Sequence, residues 1–314
     1  RMKFGIGTGP QNVSWDELSE LWRTVDGLDY DSAWVFDHLL PLSPNPDDPI
    51  LEGWTTLAAL ARETSKIDVG VMVTANTFRH PALLAKMAAT VDIMSQGRLL
   101  FGIGAGYFEP EHEVYGIPLG SVKERAERLA EACQIFKGLW TEQKLTFEGA
   151  HYTIKDAPCE PKPLRKPHPP IMIGGSGEKL TLRTTALYAD QWNMPPGDTG
   201  VSPEEFEAKL AVLHQRCAEV GRDPAEIETN LALMVVVEES DAAAKARRDD
   251  IASAFGLSEE VALKMILAGD PISLAEDIRR YESVGLDHFV AILINGVNYA
   301  DAEMFGREVI PKFR

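Results

Sequence analysis

Apolar and polar positions along the chain fall into two alternating rhythms. Short runs of four to eight apolar residues take turns with longer stretches in which apolar residues recur every three or four positions. The first rhythm predicts buried strands and the second predicts amphipathic helices. Strands are expected at residues 2–7, 32–36, 67–73, 98–103, 171–175, 190–194, 227–237 and 286–294. Helices are expected at 15–27, at about 54–64, from Pro81 to the Gln96-Gly97 stop, from Ser121 to about Trp140, from Ser176 onward, at 203–220, over 241–268 and 273–284, and at the end of the chain. Ser14 and Glu17 form a capping-box pattern, as do Ser121 and Glu124.

Eight strands, each followed by a helix, predict an α/β protein with an all-parallel sheet and right-handed crossovers. Eight repeats favour closure into a (β/α)8 TIM barrel over an open doubly wound sheet. Residues 141–170 interrupt the rhythm with a hairpin pattern around Glu148-Gly149-Ala150 and a Pro-rich run to Pro170. They read as an insertion on one domain spanning 2–314, with a helical excursion at 241–284.

Composition narrows the function classes. A hydrophobic fraction of 45% supports a large core, and no apolar run is long enough to cross a bilayer. The opening Met2-Lys3-Phe4-Gly5-Ile6 reads as a strand and not as a secretory signal, so a cytoplasmic location is expected. Cys133, Cys159 and Cys217 are odd in number and far apart, which fits free thiols. A net charge of −17 with no basic stripe argues against nucleic acid as a partner. An anionic ligand would need its positive contacts concentrated locally. No His, Cys, Asp or Glu spacing fits a metal site, and no GxSxG elbow occurs.

In a barrel of this kind the chemistry sits at the C-terminal ends of the strands. Strand two ends in Asp37-His38, where an imidazole could move a proton near neutral pH or simply pack a loop. Neighbours on a strand point opposite ways, so Asp37 is not expected to orient His38 directly. Strand three runs into Thr74-Ala75-Asn76. Strand four ends in Gly102-Ile103-Gly104-Ala105-Gly106-Tyr107, whose glycine spacing fails the dinucleotide fingerprint. What remains is either a backbone that a flat ring can approach or a tight turn. Strand five ends in Gly174-Gly175-Ser176-Gly177, with Ser176 as an N-cap and Lys179 and Arg183 on the following turns. Free amides and a helix N-terminus there suit a phosphate. Glu109, Glu111, His112 and Glu113 read as a solvated loop or helix start, and Trp34, Trp54 and Trp140 as packing residues.

Taken together, the segments WVFDHL, LEGWTTLAALARETSKIDVGVMVTANTFRHPALLAKMAATVDIMSQGRLLFGIGAG, EHEVYGIP, FEGAHY and PPIMIGGSGEKLTLRTTALYADQWN resemble the luciferase-like monooxygenase superfamily. Within it they are most similar to the branch that depends on the deazaflavin coenzyme F420. The likeness covers most of residues 2–195 and weakens afterwards. It implies a cofactor lying across the strand ends and a non-prolyl cis peptide at Met72-Val73 in a bulge that backs the ring. It also implies a phosphate at Gly174, Gly175, Ser176 and Gly177, and a role for His38 near the carbon that carries the hydride. The expected cofactor contacts are Asp37, Met72, Val73, Thr74, Asn76, Gly104, Ala105, Gly106, Gly174 to Gly177 and Lys179; the expected catalytic group is His38, Tyr107 and Asp37.

Two departures bear on substrate. Relatives that oxidise sugar phosphates carry Glu where this chain has Tyr107, and Trp where it has Leu42. Their basic phosphate-binding residues are not found, which argues against glucose 6-phosphate. The sequence reading is therefore an F420-dependent oxidoreductase acting on a small organic molecule, as a homodimer. The alternatives are an FMNH2-dependent monooxygenase or a non-catalytic flavin-binding protein. Whether Lys123, Arg125, Lys179 and Arg183 converge into a groove for the acidic tail of F420 is left open by sequence.

Overall fold

The computed structural model describes residues 1–293 and 298–314. Its strands are β1 (Lys3–Gly7), β2 (Ser32–Val35), β3 (Asp68–Val71), β4 (Thr74–Ala75), β5 (Leu99–Gly104), β6 (Leu145–Glu148), β7 (Thr153–Ala157), β8 (Ile171–Gly174), β9 (Gln191–Met194), β10 (Glu228–Val237), β11 (Ile266–Gly269) and β12 (His288–Ile292). Eight of them close into a parallel barrel in the order β1, β2, β3, β5, β8, β9, β10, β12 and back to β1. The helices α1 (Trp15–Asp26), α2 (Gly53–Glu63), α3 (Pro81–Met94), α4 (Glu109–Tyr115), α5 (Val122–Thr141), α6 (Thr181–Tyr188), α7 (Pro203–Val220), α8 (Asp241–Ala254), α9 (Glu259–Met265), α10 (Pro271–Ser283) and α11 (Tyr299–Met304) follow in chain order. No helix among the described residues is long and apolar enough to cross a membrane.

Most expected elements fall where the periodicity put them. The capping box at Ser14 and Glu17 is present in full. Three expectations need correction. The third strand is not continuous over 67–73: β3 ends at Val71 and β4 resumes at Thr74 to pair with β5, while the Met72-Val73 peptide between them is cis, as the resemblance implied. The helix expected from Ser176 starts at Thr181, so Ser176 is not its cap; Leu180 occupies that position and offers no side-chain bond. Residues 266–269 are strand and not helix. The ten-residue β10 outruns the barrel, and its last four residues pair with β11. The eighth strand was expected to reach residue 294, which lies outside the described residues. Residues 145–157 form an antiparallel hairpin within the 141–170 segment. Glu131 on α5 ties it down by accepting bonds from the amides of Ala150, His151 and Tyr152.

The barrel is filled, not hollow. Trp34, Leu100, Met172, Ala232 and Val290 form an apolar plug, with Met72, Val73 and Ile292 packed against it. Room for the Trp34 ring comes from Gly70, where a Cβ would lie 2.5 Å from both that ring and the Leu100 carbonyl. Below the plug the contacts become polar. Trp34 Nε1 donates to Ser32 Oγ at 2.8 Å, Ser32 meets His288 Nε2 at 2.9 Å, and His288 Nδ1 lies 3.3 Å from Glu228. Glu228 also accepts from Gln191 at 2.9 Å and from Lys3 at 2.5 Å.

Burial alone would raise the Glu228 carboxyl, but His288 and Lys3 outweigh it and hold the group down at about 2. A folded-state value below the unfolded one stabilises the fold above the unfolded pKa. That contribution is lost as pH falls from about 4.5 towards 2. The shift of about 2.5 units corresponds to at most about 3 kcal/mol. Denaturant melts from pH 6 to 2 should therefore show wild-type stability falling over this window by up to about that amount more than Glu228→Gln. Parallel curves would show that the floor network contributes nothing.

Candidate active site

The C-terminal ends of β2, β3, β5 and β8 bring the expected residues to one mouth. The broken third strand shapes it. The Met72 amide makes the last ladder bond, to the Val35 carbonyl at 2.8 Å, and past it the Val73 side chain lies against two glycines. A Cβ on Gly104 would stand 2.8 Å from Val73 Cγ2, and one on Gly174 would stand 2.9 Å from both Val73 methyls. These glycines are thus required by a side chain of the protein itself. Gly106 is a true left-handed position, at φ 84°, and Thr77 occupies the space a Cβ would need. Thr74 is fully buried and its hydroxyl accepts from Trp54 Nε1 at 3.1 Å. Asn76 is also buried. Its amide nitrogen reaches Tyr152 on the hairpin at 3.5 Å, while Oδ1 has no partner among the described residues.

Asp37 and His38 leave β2 in opposite directions. Asp37 is buried and makes a bidentate pair with Arg79, at 2.7 and 2.9 Å, while also accepting from the Ala75 amide at 3.0 Å. Arg79 continues to Glu52, which caps α2. Burial works against the Arg79 charge, but Asp37 and Glu52 hold the guanidinium above its usual value. Asp37 is therefore an ion-paired acceptor that anchors the 74–79 loop. A carboxylate has about four acceptor positions, and three are in use here, so one bond to a cofactor remains open to it.

His38 is paired with an acid that sequence reasoning set aside. Its Nδ1 lies 3.0 and 3.2 Å from the two oxygens of Glu111. Glu111 and His112 belong to α4 and are 1% and 2% exposed, so they are not the solvated residues expected. Burial raises the Glu111 carboxyl, but His38 and the Leu39 and Leu40 amides outweigh it and hold it below the usual range. His112 bonds the Phe108 carbonyl and the Thr77 hydroxyl, which pins α4 to the loop after β4. The rings of Phe36, Tyr107 and Phe108 meet His38 edge-on at 5.5, 5.7 and 5.8 Å. Tyr107 itself is 67% exposed. The crowding of the mouth, with the charges of Glu111 and Asp198, pushes its phenol up. One signal in the sequence could have found Glu111: it stands four residues before Tyr115, on the same face of a helix that Gly116 ends, and the Tyr115 hydroxyl reaches the Leu39 carbonyl at 3.4 Å.

Beside the glycine loop lies a cavity of about 450 Å3 between α5 and the start of α6. Ala105 and Gly106 form one wall, Arg125 the second, and Gly177, Lys179 and Thr181 the third. Arg125 Nε is buried without a partner among the described residues. Of the four basic residues in question, Arg125 and Lys179 converge here, whereas Lys123 pairs with Glu127 at 3.6 Å and neither it nor Arg183 lines the cavity. No cluster among the described residues could hold a metal ion.

Residues 2–261 match the family described as luciferase-like monooxygenase. The chain belongs to that family. Among luciferase-like relatives, the F420-dependent glucose-6-phosphate dehydrogenase of Microbacterium testaceum is 28% identical, over 100% of this chain and 98% of that enzyme. The FMNH2-dependent dimethylsulfone monooxygenase of Pseudomonas putida is 26% identical over 84% of this chain and 78% of its own. Among solved structures, an F420-dependent secondary alcohol dehydrogenase in complex with an F420-acetone adduct superposes with a TM-score of 0.86 at 21% identity, covering 100% and 99% of the two chains.

The buried Asp37–Arg79 pair yields the first test of this luciferase-like mouth. Removing one charge of a buried pair typically costs about 3–5 kcal/mol. Asp37→Asn should lose about 3 kcal/mol in urea melts, and a loss under about 1 kcal/mol would show that the pair does not hold the mouth together.

Proposed function

We propose that the chain is an F420-dependent oxidoreductase that transfers a hydride to or from a small organic substrate. The observation that carries this reading is the conjunction, within one mouth, of a glycine-walled shelf, a cavity with Arg125 and Lys179, and an acid-paired histidine. The residues fit the cofactor. Met72, Val73, Thr74, Asn76, Gly104, Ala105 and Gly106 would flank its ring, and Asn76 Oδ1 is a buried acceptor still lacking a donor. Gly174, Gly175, Ser176, Gly177 and Lys179 would hold its phosphate in the turn that leads into α6, a helix that starts without a side-chain cap. Arg125 and Lys179 offer charge to the acidic tail. When bound, F420 supplies two-electron hydride chemistry and lacks the ring nitrogen through which flavins activate oxygen.

The chain's own residues supply the proton. His38 Nδ1 is occupied by Glu111, so Nε2 is the nitrogen that can exchange a proton with the substrate. Tyr107, with its phenol pushed up, stays protonated at neutral pH and can donate but not accept. The substrate is not read as a sugar phosphate. Tyr107 stands where the resemblance places the acid of those relatives.

Two measurements test the reading. The first is titration with F420 and, separately, with FMN, since the monooxygenase relative makes FMN the competing ligand. Gly175→Asp should weaken F420 binding by about 100-fold, because like charges brought together cost several kcal/mol. Gly175 sits at φ 139°, so Gly175→Ala serves as the control for backbone strain. Equal affinity in the two variants would move the phosphate elsewhere. Tighter binding of FMN than of F420 would favour the monooxygenase reading.

The second is single-turnover kinetics on whichever of a panel of secondary alcohols and conjugated ketones is accepted. His38→Ala should slow the reaction by ~100-fold or more with little change in cofactor affinity. A near-normal rate there with a collapse in Tyr107→Phe would transfer the proton to the tyrosine.

A further inference from the structure

Resting on the reading of His38 as the proton carrier, we infer that Glu111 is its positioning residue: the buried carboxylate fixes the hydrogen on Nδ1 and leaves Nε2 to face the substrate. The argument begins with the helix. Pro110 sits in the first turn of α4 and Gly116 closes it at φ 65°. His112 anchors that short helix through the Phe108 carbonyl at 2.8 Å and Thr77 at 2.7 Å. This places Glu111 under the 38–40 loop. One carboxylate oxygen, Oε2, accepts from the Leu39 amide at 2.8 Å and lies 3.2 Å from His38 Nδ1; the other lies 3.0 Å from the same nitrogen.

A carboxylate in that position can only accept, so Nδ1 must be the nitrogen carrying hydrogen in the neutral ring. Asp37, the acid adjacent in sequence, cannot take this role because Arg79 and the Ala75 amide hold it on the far side of the strand. The edges of Phe36, Tyr107 and Phe108 box the ring in, so it cannot swing to another partner. When Nε2 takes a proton from the substrate, the positive charge it creates faces Glu111. When Nε2 gives that proton back, the Nδ1–H bond to Glu111 is unchanged. The accompanying hydride is the only electron transfer, so one proton at Nε2 and one hydride to or from the deazaflavin balance the step.

The test uses the cofactor-free protein. Nitrogen NMR of the imidazole rings, with the His38 signal assigned by its loss in His38→Ala, should show hydrogen on Nδ1 and a bare Nε2 in the neutral wild type. Glu111→Ala should shift the ring towards the Nε2–H form, and the near-isosteric Glu111→Gln, which keeps the shape of α4, should give a mixture. Melting curves confirm that each variant is folded. An Nε2–H ring in the wild type overturns the inference by itself, as do unchanged ring signals in a folded Glu111→Ala.

In single turnover, Glu111→Gln should be slower by about 10–100-fold with unaltered F420 affinity, and combining it with His38→Ala should cost nothing beyond His38→Ala alone. An effect of Glu111→Gln that persists in the His38→Ala background would show that Glu111 acts by another route. The expected NMR response together with normal turnover in His38→Ala would overturn the underlying reading of His38 while leaving the pairing intact.

Discussion

The seating of one side chain, Val73, against two glycines governs the shape of the mouth. Val73 reaches Gly104 on β5 and Gly174 on β8 because the chain leaves the ladder at Met72 and rejoins it at Thr74. Side chains larger than hydrogen at either position would push Val73 off, and with it the segment that places Thr74 and Asn76. Downstream features follow from this seating. The Asn76 amide bonds the Gly104 carbonyl at 3.0 Å, the Ala75 amide bonds Asp37, and Gly106 turns tightly enough for Thr77 to meet His112.

One buried ion pair and one acid–imidazole pair then carry the loops that the barrel strands release. Asp37 and Arg79 join the ends of β2 and β4, and Glu52 extends the pair to the start of α2. Glu111 and His38 join β2 to α4. A buried pair contributes little net stability, since desolvation offsets most of the attraction, but breaking it is costly. Such pairs therefore specify geometry more than they add free energy. Here they place acids on opposite sides of one strand end. One acid is committed to structure through a guanidinium, and the other is directed at an imidazole.

This division explains what could be read from sequence. The barrel was legible because strands buried on both faces are continuous apolar runs, and helices packed on them keep a 3.6-residue period. The short range of those signals also marks their limit. β11 was absorbed into a helical stretch because its partner, the last four residues of β10, is 32 residues away. Ser176 looks like a cap by type, yet the chain makes a further turn before α6 begins at Thr181, whose side chain packs on Gly175 and Gly177. His38, Asn76 and the glycines were found by position at strand ends. Glu111 was missed because its neighbours Glu109, Pro110 and Glu113 are those of a surface helix. Its burial depends on a contact 73 residues away in the chain.

The overall charge of −17 opposes any anionic ligand at long range, so affinity for one must arise from local arrangement. The cavity between α5 and α6 shows how. Arg125 is held by the Gly120 carbonyl through one guanidinium nitrogen, leaving Nε without a partner among the described residues. Lys179 stands across the cavity from it. Glu178, an acid in the same wall, would cancel one of these charges, but Lys209 takes its carboxylate at 2.7 Å, and Arg216 bonds its carbonyl at 2.9 Å. Lys209 holds the Glu178 carboxyl below its ordinary range, so the acid stays ionised with its charge matched on the outer side of the wall. A cavity of about 450 Å3 can thus present positive charge inside a protein that is strongly negative as a whole. Solvent screening over roughly 8–10 Å keeps the distant carboxylates from erasing it.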